Sequence, residues 1–236
     1  MTPENPHYFR CLEALKGSII FKDLDSIDIQ HLIKKMTRIK WTAGVFKRSF
    51  EFNSSLHVIV SGRLKMYQIN PSTGREHTIY ILTKGDVFDV MHLMDNKTHD
   101  VYWETLDDLE ILTISITEVN QIIEENPKIY HSILKYIGHM MRMLEEESND
   151  ICLHNTLTRL SHLLLKHMDG ESHQLKTINN LPNNEIANLI GTTRAVVNRH
   201  IQELKKAGAI SVKRKHIDIE NLDTLIAIAE EKYTNI

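Results

Sequence analysis

Cysteine is scarce in this chain of 236 residues. There are two, Cys11 and Cys152, too few for a disulfide framework and too far apart for a Cys-x-x-Cys metal motif. A four-cysteine iron–sulfur cluster cannot form within one chain. Long apolar runs are missing as well: no stretch approaches the roughly 20 apolar residues that a membrane helix needs. The first residues are polar and lack the apolar segment of a secretory signal. A cytoplasmic protein with no membrane partner is expected. No nucleophile motif occurs, so no enzymatic activity is expected.

Charge of one sign is locally scarce. Residues 1–150 hold 17 Lys/Arg against 22 Asp/Glu, whereas 151–236 hold 11 against 9. Within 185–216, seven basic residues face only Glu185 and Glu203. A basic patch on an otherwise acidic chain points to a polyanion met by one face.

Periodicity divides the chain. Residues 8–37 read as two short helices, the second capped by Asp23 or Ser26. Short β-rich runs follow: Leu56–Val60, Leu64–Ile69, His77–Leu82, Val101–Thr105 and Leu109–Ile116. They are punctuated by Ser61-Gly62, Asn70–Gly74, Lys84–Asp86 and Asp95–Lys97. This spacing predicts an antiparallel barrel or jelly roll. Thr117 can cap a helix over Glu118–Glu125, stopped by Asn126-Pro127. A long helix follows, with Ile129, Ile133, Ile137, Met140, Met141, Leu144 and Ile151 as its apolar positions. The stripe is narrow and is flanked by Arg142, Glu145, Glu146 and Glu147, as in a two-stranded coiled coil. Ile133, Ile137, Met140, Met141 and Leu144 are the expected dimer seam. Residues 150–170 read as continuing helix, ended by Asp169-Gly170.

The stretch 181–210 carries the most chemistry. Pro182 and Asn183 open a short helix with Ile186, Ala187 and Ile190 inside. Gly191 supplies a left-handed turn, and Thr192 or Thr193 caps a second helix. Val197, Ile201 and Leu204 share one face of that helix. Ala195, Asn198, Arg199 and Gln202 share the other, with Arg194 at the tip. This is a helix-turn-helix, whose second helix enters the DNA major groove tip first. Arginine grips guanine O6 and N7 with two hydrogen bonds. The Thr192 and Thr193 hydroxyls suit phosphate. Two strands, Ile210–Val212 and His216–Ile219, then flank Lys213-Arg214-Lys215, a wing with a basic tip.

With these residues in view, the chain resembles the Crp/Fnr family over nearly its whole length. The resemblance rests on Val58–Ile69, Gly85-Asp86-Val87-Phe88, Asn126-Pro127 and, most specifically, Glu185–Arg194 with Arg199. It implies an α+β chain with three parts: an N-terminal cyclic-nucleotide-binding-like β jelly-roll barrel (1–126), a dimerisation helix (127–150) and a C-terminal winged helix-turn-helix (151–236). It implies a homodimeric transcriptional regulator on a two-fold symmetric double-stranded DNA operator, with RNA polymerase as a further partner. Thr192, Thr193, Arg194, Ala195, Asn198, Arg199, Lys213 and Arg214 are the implied DNA contacts, Arg194 and Arg199 reading guanines. Members that read TGTGA or TTGAT half-sites carry glutamate after the first arginine. Here Ala195 stands there, so a different half-site is expected.

The sensor departs from the pattern too. Cyclic-nucleotide binders resemble Gly-Glu-Leu followed by Arg-Ser or Arg-Thr. This chain reads Asp89-Val90-Met91 and Thr98-His99-Asp100-Val101, so control by cyclic AMP is not expected. Gly85–His92 resembles the haem-ligating segment of carbon-monoxide sensors, with Asp89 in place of its cysteine and the histidine offset by one. A haem-dependent gas or redox sensor is therefore one alternative, with His92 and His99 as effector candidates, although no cofactor is the primary expectation. Cys11 and Cys152 are read as buried, inert thiols, with a redox switch through them as the alternative. The second alternative is a cupin-like metal barrel using His57, His77, His92 and His99. The His-x-His pattern with a following glutamate is absent, and no metal is expected.

Overall fold

The computed structural model describes residues 6–52, 54–170, 172, 174–213 and 216–231. It divides into two compact units, Met1–Ile69 with Ile79–Met143, and Asn70–Thr78 with Leu144–Ile236.

The first unit begins with α1 (Pro6–Gly17) and α2 (Ser26–Lys35). The α2 cap is Asp25, not Asp23 or Ser26: its carboxylate accepts from the Ile27 and Asp28 amides. Strands β1 (Thr37–Trp41), β2 (Phe46–Arg48), β3 (Ser55–Ser61), β4 (Leu64–Ile69), β5 (Glu76–Leu82), β6 (Val87–Phe88), β7 (Tyr102–Thr105) and β8 (Leu109–Ser115) follow, with α3 (Val90–Asp95) between β6 and β7. They make two four-stranded sheets, ordered β1-β8-β3-β6 and β2-β7-β4-β5. Strands β1 and β2 escape the sequence reading because they are five and three residues long, with too few apolar positions to show a period. Between β3 and β8 the register slips at Ile59/Ser61. Gly62 follows with φ +91°, and an added Cβ would meet the Asp108 carbonyl oxygen at 2.5 Å. Only glycine satisfies both conditions.

Two apolar clusters fill this unit. One joins α1 and α2 to Leu56, Val58, Leu112 and Ile114. The other lies between the sheets and includes Ile59, Met66, Phe88, Trp103 and Ile111. Lys65 is buried on the opposite face of β4 from Leu64 and Met66, neutralised by Glu104 at 2.6 Å and lying over the Tyr67 ring.

Helix α4 (Ile116–Glu125) starts two residues earlier than the sequence suggested. Its cap is Ser115, in a reciprocal capping box with Glu118. Helix α5 (Lys128–Leu153) is 26 residues long. It does not run on to 170: Asn155 breaks the chain and caps α6 (Thr156–Lys166) through the Leu157 and Thr158 amides. The Tyr136 hydroxyl donates to the Val87 carbonyl (2.7 Å) and accepts from its amide (3.1 Å). Tyr80 donates to the Met140 carbonyl at 2.8 Å. These bonds seat one face of α5 on the barrel.

That seating takes Ile133 out of the expected seam: it is fully buried in the cluster that joins α1 and α2 to β3 and β8, and Ile137 and Met140 are half-buried against it. The large apolar residues that α5 exposes are Tyr130, Leu134, Met141, Leu144, Ile151 and Leu153. Tyr130, Leu134, Ile137, Met141 and Leu144 advance by steps of four, three, four and three. These positions form a partly exposed apolar stripe with heptad spacing, rotated about one residue from the stripe expected from sequence.

In the second unit α6 packs on α9 (Leu222–Ala229), and α7 (Asn183–Leu189) packs on α8 (Arg194–Lys206). Leu160, Leu164, Ile186, Val197, Leu204 and Leu225 are buried at their centre. Strands β9 (Ile210–Lys213) and β10 (His216–Ile219) pair antiparallel.

Candidate nucleic-acid interface and sensor segment

The second unit builds one basic face from short-range rules. Pro182 is the residue before α7, where its missing amide costs nothing. Ala187 is buried and small, so α8 can cross closely. Gly191 turns the chain at φ +64°, and the Thr192 amide donates back to the Ala187 carbonyl at 2.9 Å. Thr193 caps α8, its hydroxyl accepting from the Val196 amide. Val197, Ile201 and Leu204 face inward. Thr193, Arg194, Ala195, Asn198 and Arg199 are exposed, and Thr192 is half-buried.

Three supports escaped the sequence reading. Arg159 of α6 donates to the Ile190 carbonyl at 2.9 Å, placing a cation at the C-terminal end of α7. His200 is buried in α8, with Nε2 at 2.7 Å from Thr156 Oγ1 and Nδ1 at 2.7 Å from Glu203 Oε2. Asn183 donates to Asn198 Oδ1 at 2.6 Å. Asn198 is thus tethered across the two helices. Arg199 is steadied by Glu203 at 3.7 Å with its guanidinium still exposed. Lys213 is exposed at the end of β9, whereas Arg214 and Lys215 lie outside the described residues.

In the first unit, β6 leads into Asp89, which adopts φ +63° before α3. Asp89 is buried, and its Oδ2 has no hydrogen-bond partner among the described residues. Burial pushes its carboxyl up to about 7, against a smaller opposing pull from His92. Between Asp86 and Val101 the only fixed cation is Lys97. The segment offers a buried carboxyl and no arginine where a cyclic nucleotide's phosphate would call for a cation.

His92 turns Nδ1 to the Lys97 carbonyl at 3.0 Å, and His99 is half-buried, which lowers its pKa. His57 is buried and stacked on Phe88 at 4.6 Å, and desolvation lowers its pKa to about 4. His77 pairs instead with Glu147, whose hydrogen bond raises its pKa. Among the described residues these four histidines form no common ligand group. Cys11 is buried, and burial raises its thiol pKa. Cys152 is exposed, contrary to expectation, because α5 turns that position to solvent.

No helix among the described residues is long and apolar enough to cross a membrane. Residues 45–126 match the cyclic nucleotide-binding domain family, and residues 158–228 match the Crp-like helix-turn-helix domain family. Together the two spans cover more than half of the chain. The cyclic AMP receptor protein of Thermus thermophilus is 21% identical over 217 residues, 91% of this chain and 98% of the relative. The global nitrogen regulator of a Nostoc species is 28% identical over 182 residues, 72% of this chain and 78% of the relative. The structure of FixK2 from Bradyrhizobium japonicum superposes with a TM-score of 0.71 at 15% identity, covering 81% of this chain and 96% of that one. With a cyclic nucleotide-binding domain, a long helix and a Crp-like helix-turn-helix in this order, the chain belongs to the Crp/Fnr family of transcriptional regulators.

Proposed function

We propose that this regulator binds a two-fold symmetric DNA operator as a homodimer, in the cytoplasm, without cyclic AMP and without a cofactor. One observation carries the reading. The exposed face of α8 presents Arg194, Ala195, Asn198 and Arg199, and its opposite face is buried. Arg194 and Arg199 are suited to guanine edges, and Ala195 to a thymine methyl. Thr192, Thr193 and Lys213, with Arg214 of the wing, are assigned to phosphate. The exposed heptad stripe of α5 supports dimerisation. An apolar seam of that spacing is the surface on which two parallel helices supercoil.

The cyclic-AMP reading is disfavoured by the Asp89 carboxyl and the missing arginine. Asp89 precedes α3, and its neighbour Val87 is held by Tyr136 of α5. A change around α3 therefore has a short covalent and hydrogen-bonded path to the helix that carries the seam.

Affinity for a palindromic duplex, measured by fluorescence anisotropy on the full chain, tests this. A bidentate arginine–guanine contact contributes about 1–3 kcal/mol per half-site. Arg194→Ala is expected to weaken binding by at least tenfold, and added cyclic AMP to leave it unchanged. Undiminished affinity in Arg194→Ala contradicts the α8 assignment, and cyclic-AMP-dependent binding contradicts the sensor reading. A Soret band in the purified protein that His92→Ala removes would establish the haem alternative.

A further inference from the structure

The second unit contains a ligand cluster that DNA binding does not use. Asp150 lies in the last turn of α5, and His154 is the first residue beyond the helix, its amide donating to the Asp150 carbonyl at 3.2 Å. His162 comes from α6, after the Asn155 break. One ligand atom from each of these three residues lies within 4.8 Å of the others, and all three side chains are half-buried.

The hydrogen bonds around His162 are those of an imidazole prepared for a cation. Its Nε2 faces the Ala229 carbonyl at 3.1 Å, and a carbonyl only accepts, so Nε2 carries a proton. Its Nδ1 faces Asp150 Oδ1 at 2.8 Å. With the proton on Nε2, the place between Nδ1 and the carboxylate oxygen takes either a second proton, as in an ion pair, or a metal ion. A ligating histidine characteristically donates its other N–H to a backbone carbonyl, which fixes its tautomer and aim. The His154 ring meets His162 edge to face at 5.0 Å. Behind it stands Glu231, with Oε1 3.5 Å from His154 Nδ1. Glu231 adopts φ +57° just after α9, and the same oxygen accepts from Asn155 and Thr158. A tethered carboxylate on a ligating histidine is the usual outer support of a metal site.

We propose that Asp150, His154 and His162 bind one divalent first-row transition-metal ion of the zinc, cobalt or nickel class, with Glu231 holding His154. Two imidazoles and one carboxylate suit these ions better than magnesium or calcium, which prefer oxygen ligands. Bonds of about 2.0–2.2 Å require the three ligand atoms to close to roughly 3–3.5 Å. Rotation of the half-buried side chains supplies this without moving the helices. The bound ion would tie the last turn of α5 to α6 and, through the Ala229 carbonyl, to the end of α9.

The test is titration of the tag-free full chain with zinc by calorimetry, and with cobalt by visible absorption. Wild type is compared with His154→Ala and Asp150→Asn. One ion per chain at micromolar affinity or tighter is expected, weakened at least tenfold in each variant. Zinc should raise the unfolding midpoint of wild type and of neither variant. Asp150→Asn keeps the side chain's shape, so it serves as the test if His154→Ala does not fold. Absence of stoichiometric binding, or binding equal in wild type and variants, overturns the proposal. The second outcome would place the ion on other members of the chain's 14 histidines.

Discussion

Asp89→Asn should make the protein more stable, and increasingly so as pH rises. Asp89 is 8% exposed, and burial holds its carboxyl at about 7, against an ordinary 3.8. An acid whose pKa is raised in the folded state gives up stability as pH increases. Below pH 3.8 both states are protonated and the group is neutral in the balance. Between 3.8 and 7 the unfolded chain ionises while the folded one does not. Above 7 the full difference, about 4 kcal/mol, is lost. The wild-type deficit is then about 1.7 kcal/mol at pH 5 and about 4 kcal/mol at pH 8, both upper estimates. Asparagine matches the carboxyl in shape, does not titrate, and tolerates the left-handed backbone at this position. The advantage of Asp89→Asn should therefore grow by roughly 2–3 kcal/mol from pH 5 to pH 8. Urea unfolding at the two pH values, followed by tryptophan fluorescence, measures it. A constant difference, or one that shrinks with pH, would refute the claim that Asp89 is buried with its carboxyl protonated.

Two further outcomes separate the roles of neighbouring residues. Leu134→Glu and Met141→Glu, on the exposed stripe, should dissociate the dimer in ultracentrifugation. Ile133→Ala should leave it intact while costing about 2–5 kcal/mol in unfolding, and the reverse pattern would restore the seam read from sequence. Gly191→Ala should cost about 1–2 kcal/mol, because φ is +64° and the Arg159 guanidinium stands 3.4 Å from the added carbon. Gly17→Ala, with open space around it, should be close to neutral in the same denaturation assay.

The helix-turn-helix was legible in sequence because its determinants are local. Pro182, Gly191, Thr193 and the spacing of Val197, Ile201 and Leu204 act within a few residues of one another. The central barrel strands were legible through alternating apolar residues and glycine turns. Strands β1 and β2 were not, since five and three residues that include Arg38, Lys40, Lys47 and Arg48 leave too few apolar positions to alternate. The burial of Ile133 was not legible for a related reason. Helix α5 is apolar on two faces, and periodicity cannot tell which one Tyr80 and Val87 will claim. The Asn155 break looked like helix because the leucines on either side continue the pattern. Arg159 and His200 carried no motif at all, and their roles depend on tertiary partners, the Ile190 carbonyl and Thr156.

The central claim is that α8 reads a symmetric operator from a dimer. Selection from randomised duplex DNA by the purified chain, without added ligand and in parallel with Arg194→Ala, tests it most directly. Wild type is expected to enrich a palindrome with two half-sites about one helical turn apart, and Arg194→Ala to enrich none. Enrichment of the same palindrome by Arg194→Ala, or of a site without two-fold symmetry by wild type, would contradict it.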